Sequence, residues 1–228
     1  WLKSYPPGVT ADIHPSQFRP LVELFDTRVR EYAERPAYHS MGKTLTFGGL
    51  ERLSRDFAAW LQARGLGKGA RVAIMMPNCL QYPVAMFRTL RAGCTVVNVN
   101  PPYTARELEH QLKDSGAEMI VLLENFGRVL QEVRHKTPLK HIVVTSLGEM
   151  LGLKGLILNL VVRKVKKMVP AYELPGAISF KEALGGGKDK TLSTPTLTHS
   201  DIAYLQYTGG TTGVSKGAIL THRNVIAA

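Results

Sequence analysis

The chain has 228 residues, of which 44% are hydrophobic and 21% charged. That length suits one large domain or two small ones, and the composition excludes collagen-like, coiled-coil and wholly disordered chains. Lys and Arg number 29 against 18 Asp and Glu, a net charge of +11, which favours anionic partners: phosphate compounds, nucleic acid or an acidic membrane surface.

The first helix is expected from Pro20, a good first helical position. Leu21, Leu24, Phe25, Val29 and Tyr32 recur at helical spacing, and Pro36 stops the pattern. Ala37–Phe47 reads as a hairpin turning near Met41-Gly42. Leu50, Leu53, Phe57, Trp60 and Leu61 then mark an amphipathic helix ending at Gly65. From there strands and helices alternate. The apolar run Arg71–Met76 reads as a buried strand. A helix capped by Asn78 should run to Gly93, with Pro83 near its first turn. Thr95–Val99 is the next strand. Thr104-Ala105-Arg106-Glu107 spells a capping box for a helix ending near Gly116. Met119–Leu123, Phe126–His135 and His141–Thr145 follow as strand, helix and strand. Repeated β-α-β units imply an α/β fold with a mostly parallel sheet flanked by helices.

Residues 151–190 carry eight basic groups against three acidic ones. Within them, Leu156–Val169 is expected as an amphipathic helix. At 100° per residue, Ile157, Leu158, Val161, Val162, Val165, Met168 and Val169 share one arc. Asn159, Arg163, Lys164, Lys166 and Lys167 lie opposite, interrupted by Leu156 and Leu160. Such a helix could pack its arc on the core or lie on an anionic membrane surface. Its uncharged run is too short to span a bilayer. Ser179-Phe180-Lys181-Glu182 caps a short helix. Three segments are therefore expected: an α/β subdomain over 1–184 with a basic insertion at about 151–169, a linker over 185–200, and the start of a second α/β subdomain over 201–228.

The strand Ile202–Gln206 feeds Tyr207, Thr208, Gly209, Gly210, Thr211, Thr212, Gly213, Val214, Ser215, Lys216, Gly217 and Ala218. Glycines let the backbone approach a ligand closely, and exposed N–H groups in such a loop form an anion nest. Thr208, Thr211, Thr212 and Ser215 add hydroxyl donors and Lys216 a positive charge. This chemistry suits a polyphosphate. It is not a Walker A loop, because Ser215 precedes the lysine instead of following it. Gly65-Leu66-Gly67-Lys68-Gly69-Ala70 matches a dinucleotide pattern, but it follows a helix and precedes a strand, so it reads as a cap and turn. Gly185–Lys190 lacks hydroxyls and reads as a flexible linker. His222 falls in the first turn of a helix capped by Thr221 and is not expected to be catalytic. Cys79 and Cys94 read as buried thiols in a reducing compartment. No Cys/His spacing suggests a zinc site, and no basic-aromatic platform suggests a nucleic-acid partner.

The ordered string YTGGTTGVSKGA resembles the phosphate-binding signature of the acyl-adenylate-forming superfamily. Leu205–Asn224, Met76–Tyr82 (MPNCLQY), Val97–Tyr103 (VNVNPPY), Glu107–Gly116 and the opening WLKSYPPGV resemble bacterial long-chain fatty acid–CoA ligases. The resemblance runs along the whole chain but covers less than half of such an enzyme. The chain is therefore expected to be the N-terminal part of the large domain of an adenylate-forming enzyme. The resemblance implies ATP, Mg²⁺ and coenzyme A as reactants and cofactors, with a long-chain fatty acid as substrate. The loop at 208–216 would hold the β- and γ-phosphates, and Lys216 would stabilise the pyrophosphate leaving group. Apart from the resemblance, the opening WLKSYPPG lacks the apolar core of a secretory signal, so a cytoplasmic protein is expected; the basic helix would make it peripheral on the inner face of the cytoplasmic membrane, and uncovered apolar surface would make it a homo-oligomer. The adenylation lysine and the acyl-site, adenine and Mg²⁺ segments of the family are not found in these residues. A related acyl- or aryl-CoA ligase and a non-catalytic nucleotide-binding fragment are the alternatives.

Overall fold

The computed structural model describes residues 2–9, 12–208 and 214–228. Pro20 occupies the N-cap of α1 (Leu21–Glu31), so the helix begins one residue later than its proline suggests. The hairpin of β1 (Pro36–Ser40) and β2 (Lys43–Thr46) pairs Ser40 with Lys43. Met41 and Gly42 take φ of 50° and 77° between them. A tight hairpin turn needs two consecutive left-handed residues, which matches the right-handed twist of its strands. Thr46 then caps α2 (Phe47–Ala63), its hydroxyl accepting from the Gly49 N–H at 3.1 Å.

The alternating part comprises β3 (Arg71–Met75), α3 (Gln81–Arg91), β4 (Thr95–Asn98), α4 (Ala105–Ser115), β5 (Met119–Leu123), α5 (Gly127–Val133) and β6 (His141–Thr145). After these come α6 (Leu153–Leu160), β7 (Ile178–Ser179), α7 (Phe180–Gly185), β8 (Ile202–Thr208), β9 (Lys216–Thr221) and α8 (His222–Ala227). One seven-stranded sheet runs β7-β6-β5-β3-β4-β8-β9, parallel except for β9. Along β3, Val72 and Ile74 enter one apolar core, with α1, α2, α3 and α7, while Ala73 and Met75 enter the other, with α4 and α5. Successive strand residues point to opposite faces, so a strand covered on both sides needs an unbroken apolar run.

Two expectations are corrected. Asn78 does not cap α3; the helix starts at Gln81 behind Leu80, which gives no side-chain cap. Pro83 sets this start. In a helix capped by Asn78 it would fall in the second turn, where its ring clashes with a carbonyl and its missing N–H breaks a bond. In the observed helix it sits in the first turn, where neither occurs. The second correction concerns the face of α6. The residues expected to share one arc do not share one environment: Val162 is buried and Leu158 half-buried, whereas Ile157, Val165 and Met168 are exposed, and Gly155 is buried as well. The arc assumed uniform winding, but Val161–Val165 forms a π-helical turn that shifts the register of Val165 and Met168; before it, the close approach of Gly155 to Gly148 sets the rotation that leaves Ile157 outside.

Residues 185–200 run back along the first core. Gln62 exchanges two hydrogen bonds with the Ser193 backbone at 2.7 and 2.9 Å, Lys68 donates to the Thr196 carbonyl at 2.9 Å, and Leu192 and Leu197 pack on the core. This course brings β8 in beside β4, so residues 201–228 extend the sheet that the first segment began.

Candidate active site

The Tyr207–Ala218 motif lies on the β8–β9 hairpin. Thr208 closes β8 and Lys216 opens β9, directly opposite each other. Thr208, Val214 and Lys216 are exposed and Ser215 half-buried. Gly209, Gly210, Thr211, Thr212 and Gly213 lie outside the described residues.

The stems of the hairpin are held by α4. The Tyr207 hydroxyl donates to Asp114 Oδ2 at 2.5 Å. Burial, reinforced by that hydrogen bond, pushes the phenol pKa up, so it remains protonated. The Tyr207 ring lies against Gly217, where a Cβ would come within 2.9 Å of it. His110 Nε2 stands 3.0 Å from the Ser215 carbonyl; since a carbonyl only accepts, the proton is assigned to Nε2. Four residues apart on α4, His110 and Asp114 thus brace both ends of the loop. Sequence reasoning missed them; their only signal was a shared helix face.

Beside the hairpin, a cavity of about 390 Å³ opens at the carboxyl ends of β3, β4 and β8. The chain passes from β3 to β4 on one side and then returns to β5 on the other. Open α/β sheets bind ligands at such a reversal of strand order. Asn98 organises the floor. Its Nδ2 donates to Gln206 Oε1 at 2.8 Å, its Oδ1 accepts from the Tyr82 hydroxyl at 2.9 Å, and its carbonyl accepts from Gln111 Nε2 at 2.7 Å. Asn78, Asn100 and Tyr103 complete the wall. The strings Met76–Tyr82 and Val97–Tyr103, which begin 21 residues apart in the chain, so become adjacent walls of one crevice. Neutral amides and phenols suit hydrogen bonding to a ligand, while the cationic, hydroxyl-rich hairpin suits its phosphates.

The remaining candidates fall elsewhere. Gly65–Ala70 is the turn between α2 and β3, with Gly65 and Gly69 at φ of 79° and 86°. Cys79 and Cys94 are free and buried; burial raises both thiols, that of Cys94 to about 12. His222 opens α8 behind the Thr221 cap and is only 2% exposed. Burial lowers its pKa. Between that lowered value and the ordinary value of about 6.5, the unfolded chain binds the extra proton. Its contribution to stability is therefore present above about pH 6.5 and lost as pH falls below it. Urea denaturation between about pH 7.5 and 5.5 should show a shallower acid-side loss in His222→Gln than in the wild type; parallel curves would remove this group from the pH dependence.

The family described as AMP-binding enzyme matches residues 25–228. Over its whole length the chain is 53% identical to a long-chain-fatty-acid–CoA ligase of Escherichia coli O6:H1, and 33% identical to one of Bacillus subtilis. It spans 41% and 40% of the length of these two relatives. A solved long-chain-fatty-acid-CoA ligase from Archaeoglobus fulgidus shares the fold, with a TM-score of 0.73 over 98% of this chain and 40% of that one, at 24% identity. An end-to-end likeness in sequence, a parallel sheet with its crevice at the strand reversal and a glycine-rich hairpin beside it lead to one conclusion: this chain belongs to the AMP-binding enzyme family.

Proposed function

We propose that this chain is the N-terminal part of a ligase that activates long-chain fatty acids. The observation that carries the reading is 53% identity along the whole chain to a long-chain-fatty-acid–CoA ligase. In the first half-reaction the fatty carboxylate oxygen attacks the α-phosphorus of ATP. The bond to the β-phosphate breaks and pyrophosphate leaves. In the second, the thiol of coenzyme A attacks the acyl carbonyl and AMP leaves. This chain's share is the first departure. The hairpin binds the β- and γ-phosphates, and Lys216 with the hydroxyls of Thr208 and Ser215 stabilises charge that develops on pyrophosphate. Preorganised donors of this kind act most strongly where charge appears in the transition state.

Mg²⁺ would neutralise part of the phosphate charge. Among the described residues no group of three or more His, Cys, Asp or Glu side chains could hold a metal ion. No step is assigned to the ion. The groups for adenine, the acyl chain and the thioester would lie in the part of the relatives that this chain does not span. The 228 residues alone should therefore catalyse neither half-reaction. A protein of the relatives' full length should exchange radiolabelled pyrophosphate into ATP when given a long-chain fatty acid. Exchange driven by an aromatic acid instead would replace this reading by an aryl-CoA ligase, and exchange by the 228 residues alone would show a more complete site.

A further inference from the structure

Helix α6 turns much of its apolar surface away from the protein. Asn159 and Arg163 face the protein together with Gly155 and Val162, while Leu153, Leu156, Ile157 and Leu160 face away. Gly155 touches the loop after β6 so closely that a Cβ there would lie 1.8 Å from the Gly148 carbonyl oxygen. Asn159 accepts from the Gly148 N–H at 2.8 Å and donates to Ser146 Oγ at 2.9 Å. Arg163 grips the nearly buried carboxylate of Glu124 with three hydrogen bonds of 2.7 to 3.0 Å. These contacts fix the rotation of the helix. They leave Leu153, Leu156, Ile157 and Leu160 between 59% and 82% exposed, with Val165 and Met168 at 69% and 59% beyond the π-helical turn.

A surface helix ordinarily buries its apolar stripe, and a contiguous exposed one marks an interaction site. Its charge narrows the choice of partner. Lys154, Lys164, Lys166 and Lys167 are exposed around the apolar side chains, and no acidic residue occurs between Glu149 and Glu173. A second copy of this face would set lysine against lysine, which is unfavourable. At eight residues α6 is far too short to cross a bilayer. A short cationic amphipathic helix instead lies in the headgroup plane.

We propose that this face docks on an anionic lipid surface, with the six apolar side chains entering the acyl boundary and the four lysines meeting lipid phosphates. The proposal does not depend on the ligase reading. It also takes Arg163 out of the lipid-binding set, because Glu124 already holds it.

Co-sedimentation with vesicles tests it. The chain should bind phosphatidylcholine/phosphatidylglycerol vesicles, bind phosphatidylcholine alone more weakly, and lose binding as salt rises. Replacing Lys154, Lys164, Lys166 and Lys167 by Gln should lower partitioning onto the anionic vesicles by about 10-fold or more. Ile157→Glu with Leu160→Glu should lower it by about 10-fold or more on both vesicle types. All these side chains are exposed or half-exposed at the surface, so the melting temperature should hold; if the glutamate pair lowers it, the lysine set decides. Replacing Lys3, Lys43, Lys188 and Lys190 by Gln removes the same charge elsewhere and should leave binding nearly unchanged. An equal loss in that control would reduce the effect to net charge and overturn the proposal. So would absence of binding by the wild type, or a glutamate pair that changes the sedimentation coefficient but not vesicle binding, which would assign the face to a second copy. Binding that disappears in a protein of the relatives' full length would overturn it too, by assigning the face to the remainder of that protein.

Discussion

Lys216→Ala, made in a protein of the relatives' full length, is expected to slow ATP–pyrophosphate exchange by about 10²-fold or more, the usual effect of removing one preorganised electrostatic donor. The position of the residue sets this expectation. Lys216 begins β9 directly across from Thr208, at the mouth of the glycine-rich loop. Its side chain is exposed, so its removal takes nothing from either core. The braces of the hairpin, Tyr207 on Asp114 and Ser215 on His110, remain intact. A variant with unchanged melting temperature and slowed exchange would assign the loss to transition-state charge. Lys216→Arg keeps the charge but replaces a compact ammonium by a planar fork, and should recover part of the rate. Exchange at the wild-type rate in Lys216→Ala would remove this residue from the mechanism.

What the sequence revealed about this site follows from how local each signal is. The loop was legible because glycines, hydroxyls and a lysine follow one another in a single string. The capping box of Thr104 and Glu107 was legible for the same reason, and both of its reciprocal hydrogen bonds are present. Strands β5 and β6 matched their expected limits, since an apolar run between a turn and a helix leaves little choice. The crevice was not legible. Asn98 and Gln206 are 108 residues apart and meet only because β8 enters the sheet beside β4. The orientation of α6 was left open for a different reason. A helical wheel sorts residues by polarity but does not say whether the apolar side meets the core or a lipid surface. Here the close approach of two glycine backbones and the bonds of Asn159 and Arg163 decide the rotation.

Arg88→Met is expected to raise stability by about 1–4 kcal/mol, as replacement of buried charge by an apolar side chain of similar volume often does. Arg88 projects from α3 into the first core and is fully buried. Its guanidinium is sandwiched between Phe57 and Phe180, at 4.6 and 4.9 Å from the ring centroids. None of its three guanidinium nitrogens has a hydrogen-bond partner among the described residues. Two opposing effects meet here. Attraction to an aromatic face contributes about 2 kcal/mol when desolvated, whereas stripping water from a cation without pairing it costs several. Desolvation should prevail, and burial accordingly drives the Arg88 pKa well below its ordinary value, with Asp56 opposing weakly. A base whose pKa is depressed on folding destabilises the folded state fully below its folded pKa, and less as pH rises from there toward the unfolded value. Arginine keeps its proton in proteins, so the gain should be equally large at about pH 6 and pH 9. For a chain of this size it corresponds to a melting temperature higher by roughly 2–4 °C per kcal/mol. Methionine fits the space because its unbranched thioether follows the path of the arginine stem and makes favourable contacts with ring edges. Thermal melts at the two pH values decide the matter. A fall in melting temperature would show that the two rings hold the cation more strongly than water does, and a gain confined to one pH would show that Arg88 titrates within that range.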